Sequence, residues 1–97
     1  MSGEFGKYDY RGYIDNVIRQ IADECLNPDE EFRLTRRFGE FLKSVSLVAQ
    51  EIALLEAGDN GEFSAARNIK SHMPRVRATL DRLYEQVEKD LHADASG

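Results

Sequence analysis

Four ionisable side chains near the end of the chain have a spacing that would place them on one face of a helix. They follow one another at intervals of four, three and four residues: Asp81, Glu85, Glu88 and His92. Such a row could bind a magnesium ion, because this hard cation prefers several carboxylate oxygens. A helical magnesium enzyme needs a second acidic cluster, and no carboxylate follows Glu30 or Glu31 one turn later. We therefore expect no metal site and assign Asp81, Glu85 and Glu88 to a partner-binding surface.

The remaining histidines, serines and the cysteine do not form a recognisable catalytic site. A di-iron centre needs a glutamate three residues before each histidine, and His72 and His92 follow Ile69 and Lys89 instead. One cysteine and two distant histidines cannot supply the four ligands of a structural zinc site. Cys25 lies on an apolar row of a predicted helix, where a buried thiol is usual. We expect no cofactor and no activated nucleophile.

One short motif does suggest catalysis. Residues 67–72 have the sequence R-N-I-K-S-H, which places Arg67 five residues before His72. This motif resembles the short signature of the HEPN family of small all-helical, often dimeric ribonucleases and their inactive relatives. The resemblance implies a metal-independent ribonuclease in which Arg67 and His72 of two subunits meet an RNA phosphate at a dimer cleft. A guanidinium would stabilise the charge that develops on phosphorus, and an imidazole would transfer a proton.

Composition and charge exclude several other classes of function. The chain has 97 residues, of which 41% are hydrophobic and 32% charged, which is typical of a single globular domain. Its net charge of −5 opposes binding to nucleic acid and to an anionic membrane surface. The apolar stretches are too short to span a membrane. Because there is one cysteine and no leader-like segment, we expect a cytoplasmic protein.

Apolar residues recur at helical spacing in three segments, which predicts an all-α fold. The predicted helices cover residues 9–26, 28–57 and 62–92. Asn27 and Pro28 should end the first helix and begin the second, because asparagine caps helices and proline suits their first position. Residues 58–61, Gly-Asp-Asn-Gly, predict a reversal. Gly39 most often marks a close helix contact.

The fold expected from these segments is a small helical bundle, made of an N-terminal helix and a long antiparallel hairpin. Pro74 interrupts the last helix and should kink it or split it into two. The core-facing row of that helix is predicted to comprise Phe63, Ala66, Ile69, Met73, Val76, Leu80, Leu83, Val87 and Leu91. Residues 1–9 should form a flexible arm, residues 10–92 the bundle, and residues 93–97 a disordered tail.

Lengths of the helices favour an assembly of two chains. The hairpin helices would each span about 45 Å and the first helix only about 27 Å, so one helix cannot cover the whole apolar face of the hairpin. A second copy would cover it, and two-fold dimers are the commonest oligomers. If the last helix is split at Pro74, a compact four-helix monomer is the alternative.

The function that follows is non-enzymatic. We expect a small acidic helical protein, a homodimer, that binds another protein as a regulator, adaptor or inhibitor. Besides the three carboxylates, the expected partner-binding residues are aromatic: Phe5, Tyr8, Tyr10 and Tyr13. The alternative is the HEPN-like ribonuclease that uses Arg67 and His72.

Overall fold

The computed structural model describes residues 15–96, with side chains as far as Ala93, and this part of the chain is all α. Helix α1 covers residues 15–25, α2 runs from Arg33 to Glu56, and α3 runs from Glu62 to Ser96. Between residues 15 and 96 there is no strand. The predicted bundle of an N-terminal helix and a long hairpin is confirmed. The expected arm at residues 1–9, and Tyr10 and Tyr13 after it, lie outside the described residues.

The connection between α1 and α2 is longer than expected. The start of the second helix at Pro28 is wrong, because α2 begins at Arg33. The Asn27 carbonyl accepts the Glu30 N–H at 2.9 Å, which closes a turn in place of a first helical turn. The guanidinium of Arg36 donates to the carbonyls of Pro28 at 3.1 Å and Glu30 at 2.8 Å. These bonds hold residues 28–30 outside the helix.

The reversal between α2 and α3 is confirmed at residues 57–61. Gly58 has a φ of 84°, a backbone angle that is disfavoured for residues with a Cβ atom. The Asp59 N–H donates to the Leu54 carbonyl at 3.0 Å, which satisfies a carbonyl at the end of α2. The two helices therefore return past each other as an antiparallel hairpin.

Helix α3 passes through Pro74 as a single helix and is not divided into two shorter ones. Pro74 lacks the N–H that would bond to the carbonyl of Lys70. A kink at this position stays a prediction. Helix α3 also includes residues 93–96, which were expected to be disordered, because neither glycine nor proline occurs between Arg75 and Ser96 to end it.

Helix α1 packs against α2 at a glycine. A Cβ atom added to Gly39 would lie 2.6 Å from the Cβ of Cys25 and 3.2 Å from the carbonyl oxygen of Ala22. The predicted close contact at Gly39 is confirmed. The backbone of α1 therefore approaches α2 to a distance that any larger residue would prevent.

The core of the described part is made of small side chains. The fully or nearly buried hydrophobic residues are Ala22 and Ala65, and the largest fully buried side chain is Ser44. The molecule is elongated, with extents of 55 × 29 × 23 Å and a radius of gyration of 16.5 Å. A compact domain of this length would have a radius of about 12.5 Å. Because the buried residues are small, the larger apolar side chains lie near the surface.

None of the helices between residues 15 and 96 has the length and apolar character needed to span a membrane.

Replacing Gly39 with alanine should destabilise the fold even though alanine is the better helix former. The added methyl group would overlap Cys25 and the Ala22 backbone, so we expect a loss of about 1–2 kcal/mol in the free energy of unfolding. Urea denaturation followed by circular dichroism measures it. Gly61→Ala is the matched control, because nothing lies within 4 Å of its Cβ position. Equal stability of the two variants would contradict the close packing.

Candidate functional site

The hairpin helices meet at a pair of small hydroxyl side chains. The Oγ of Ser44 lies 2.9 Å from the Oγ1 of Thr79, and the two residues are 1% and 8% exposed. Ser44 also lies 2.7 Å from the Phe41 carbonyl, and Thr79 lies 2.9 Å from the Arg75 carbonyl. All the hydroxyl groups at this contact are therefore satisfied, and the helices approach closely.

This contact rotates α3 away from the orientation expected from its apolar row. Ala65 and Thr79 are buried, whereas Phe63, Met73 and Leu80 of the predicted row are 77%, 41% and 46% exposed. The prediction that the whole row faces the core is therefore wrong. Small residues beside the row allow the closer helix approach, so they form the packed face instead. The row itself lies next to that face.

Helix α2 presents a second apolar row. Its members are spaced by four, three, four, three and four residues: Leu34, Phe38, Phe41, Val45, Val48 and Ile52. Leu34, Phe38 and Ile52 are exposed, and the three central residues are half-buried. The helical periodicity of this segment contains every member of the row except Leu34.

The two rows lie on the same side of the hairpin. The α2 row is about 80° around its helix from Ser44, and the α3 row is about 100° around its helix from Thr79. Viewed along the chain direction of its own helix, each row is reached from the contact residue by a rotation of the same sense. Because the two helices are antiparallel, these rotations place both rows on the same side of the hairpin. Helix α1 lies on the opposite side, against Gly39 and beside a cleft lined by Leu26 and Arg75.

We call this surface the open face. It consists of the α2 row and of an α3 row that keeps six residues of the predicted row and has Tyr84 in place of Leu83. The members of this α3 row are Ile69, Met73, Val76, Leu80, Tyr84, Val87 and Leu91. Ile69 and Val76 are half-buried, and the other five α3 residues are exposed. Its length from Ile69 to Leu91 is about 33 Å. A continuous apolar surface of this extent is typical of a protein contact surface.

The predicted acidic side chains border the open face. Asp81 and Glu85 are exposed, and Glu88 is half-buried. The Nε2 of His92 lies 3.7 Å from the Oε1 of Glu88, which confirms the helical spacing of this row. Among the residues that the structure describes, no group of three or more His, Cys, Asp and Glu side chains could hold a metal ion. We call Asp81, Glu85 and Glu88 the acidic edge.

The side of the hairpin that faces α1 carries side chains of both charges beside Leu26 and Leu47. Lys43 lies 3.6 Å from Asp23 of α1, and Arg82 lies 3.8 Å from Glu40. These exposed pairs connect neighbouring helices but contribute little stability, at about 0–1 kcal/mol each. The open face differs because neither of its two rows contains a charged residue.

The two residues of the ribonuclease-like motif point in different directions. Arg67 lies over the ring of Phe63, at 5.7 Å from the centroid, and His72 is half-buried. Because they are five residues apart, they are separated by about 140° around α3. One chain therefore does not bring them together, and a cleft composed by two subunits stays a prediction.

The expected aromatic partner-binding residues, Phe5, Tyr8, Tyr10 and Tyr13, lie outside the part of the chain that the structure describes. No protein-family model, curated protein or solved structure matches this chain.

Removing the hydroxyl of Ser44 should weaken the hairpin. Ser44→Ala deletes a buried hydrogen bond between helices, so it should lower the free energy of unfolding by about 1 kcal/mol more than a matched surface change. Ser71→Ala is that change, because Ser71 also bonds to the carbonyl three residues earlier but is exposed. Thermal and urea unfolding of both variants give the difference. Equal effects would show that the Ser44–Thr79 contact does not hold the helices together.

Proposed function

We propose that this chain is a non-enzymatic helical protein of the cytoplasm that acts as a homodimer and binds another protein as a regulator, adaptor or inhibitor. The observation that carries the proposal is the open face, where large apolar side chains lie outside a core of small ones. Soluble monomers rarely expose so much continuous apolar surface. Covering it with protein would remove that surface from water and stabilise the complex.

The acidic edge supports the choice of another protein as partner. Asp81, Glu85 and Glu88 form one row of negative charge beside the open face. Such a row attracts a basic surface, accelerates association and determines orientation. The partner should therefore present lysine or arginine side chains next to its own contact surface. A nuclease whose natural ligand is anionic has such a surface, so inhibition by charge mimicry fits this arrangement.

Reversal of the acidic edge should weaken partner binding. Changing Asp81, Glu85 and Glu88 to lysine replaces attraction of a basic partner with repulsion, and we expect binding to fall at least about tenfold. The immobilised protein would be used to capture partners from lysate of the source cells, with quantitative mass spectrometry as the readout. Each captured protein would then be purified and titrated against both forms. Glu85→Lys alone should act in the same direction.

A control with the same change in charge separates a specific contact from a general field. Glu24, Asp29 and Glu31 are exposed on α1 and the loop after it, so their reversal to lysine changes the net charge equally. This control should retain the partner. If the reversed acidic edge captures the same proteins with the same affinity, the acidic edge is not a binding surface.

A further inference from the structure

We infer that the open face binds the open face of a second copy, in a two-fold antiparallel arrangement centred on Leu80 that forms a four-helix bundle. The inference rests on the proposed function, because it identifies the occupant of the open face. In this assembly α3 packs against α3 of the partner, and α2 packs against α2 of the partner. Such an interface is isologous, so each surface must complement itself.

The α3 row is symmetric about Leu80. Apolar residues lie four, seven and eleven residues before Leu80, and apolar residues lie at the same three distances after it. The resulting pairs are Val76 and Tyr84, Met73 and Val87, and Ile69 and Leu91. If two copies of α3 lie antiparallel with Leu80 against Leu80, every member of the row therefore faces an apolar side chain.

The α2 row is symmetric about the same level of the hairpin. Its pairs are Phe41 and Val45, Phe38 and Val48, and Leu34 and Ile52, all centred on position 43. The contact between Ser44 and Thr79 sets position 43 of α2 level with position 80 of α3, because the helices are antiparallel. One two-fold axis therefore satisfies both rows at once.

Charges beside the α3 row are complementary in the same arrangement. Lys70, Arg77, Asp81 and Glu88 lie on one flank of the row, within about 40° of one another around the helix. The basic pair precedes Leu80 and the acidic pair follows it. Antiparallel packing about Leu80 brings Arg77 near the partner's Asp81 and Lys70 near the partner's Glu88. A parallel pair would instead set like charges against each other. A second copy supplies an apolar row of matching length, with flanking charges of opposite sign.

This arrangement separates the two copies of the ribonuclease-like motif. His72 lies eight residues before Leu80, so the two His72 residues would be about 24 Å apart along the helices. The composite cleft that the motif requires is therefore incompatible with this dimer. A cleft assembled from Arg67 and His72 of two subunits would need a different interface.

The first test measures mass in solution by sedimentation equilibrium. The unaltered chain should have twice its monomer mass of 11.1 kDa. Leu80→Asp sets two carboxylates against each other at the axis, so it should weaken dimerisation by about 100-fold or more. Ala78→Asp introduces the same charge on an exposed position away from the row, and it should leave the dimer intact. Circular dichroism checks that both variants are helical.

The second test reverses the flanking charges one at a time. Arg77→Glu places glutamate near the partner's Asp81, and Asp81→Lys places lysine near the partner's Arg77, so each variant alone should dimerise about tenfold more weakly. In an equimolar mixture the introduced glutamate faces the introduced lysine, and the unchanged residues face each other. The mixture should therefore regain dimers, made of one copy of each variant. If a substitution weakened the dimer only by destabilising its own helix, mixing the two variants would not restore dimers.

The outcomes distinguish the dimer from the proposed function. A mass of 11.1 kDa at all concentrations would overturn the inference, as would failure of the mixed charge variants to form dimers. The dimer would also be overturned if the chain were monomeric and captured a different protein that Leu80→Asp no longer bound. That result would still support the proposed function. Glu85 takes no part in the flanking pairs, so Glu85→Lys should dimerise normally. Normal dimers together with unchanged partner capture by Glu85→Lys would leave the inference standing and remove Glu85 from the proposed binding surface.

Discussion

The close contact between Ser44 and Thr79 determines the arrangement of the rest of the molecule. Two small, hydrogen-bonded side chains allow α2 and α3 to approach closely, and Gly39 allows α1 to do the same on the other side of α2. Helices that touch through small residues cannot also bury their largest ones in the same contact. The apolar rows of both hairpin helices are therefore turned to one side and form the open face.

Within residues 15–96, α1 lies on one side of the hairpin and no helix lies on the other. Helix α1 lies across the side that carries Lys43 and Arg82, and its polar contacts there are exposed ion pairs of little energetic value. The apolar area that stabilises most small domains lies on the other side. The proposed dimer places this area in a common core, which makes folding and association parts of one process. An elongated chain with a core of alanine and serine then becomes a stable four-helix assembly.

Spacing in the sequence predicts the helices and the rows, but not which side of each helix packs. The reversal at Gly58 and the close approach at Gly39 follow from single residues whose conformational or steric properties are distinctive. The start of α2 is not predictable in this way, because Arg36 bonds to carbonyls six and eight residues earlier and holds them outside the helix. A prediction from apolar spacing misses the packed face of α3, because Thr79 is polar and Ala65 lies outside the predicted apolar row. The three carboxylates of the acidic edge lie on one face of α3, as their spacing predicts, while the identity of a partner depends on surface chemistry that the spacing does not encode.

Distances between the two copies of α3 test the antiparallel dimer most directly. Spin labels would be attached one at a time to cysteines replacing Ala78, Glu85 and Lys89, in a chain with Cys25 changed to alanine, and measured by pulsed electron paramagnetic resonance. Symmetry about Leu80 predicts that the separation along the helices grows by about 3 Å per residue from the axis, giving about 6, 15 and 27 Å before the lateral offset is added. Equal distances at all three positions would indicate parallel helices, and no measurable distance would indicate a monomer. Either result would contradict the two-fold assembly through the open face.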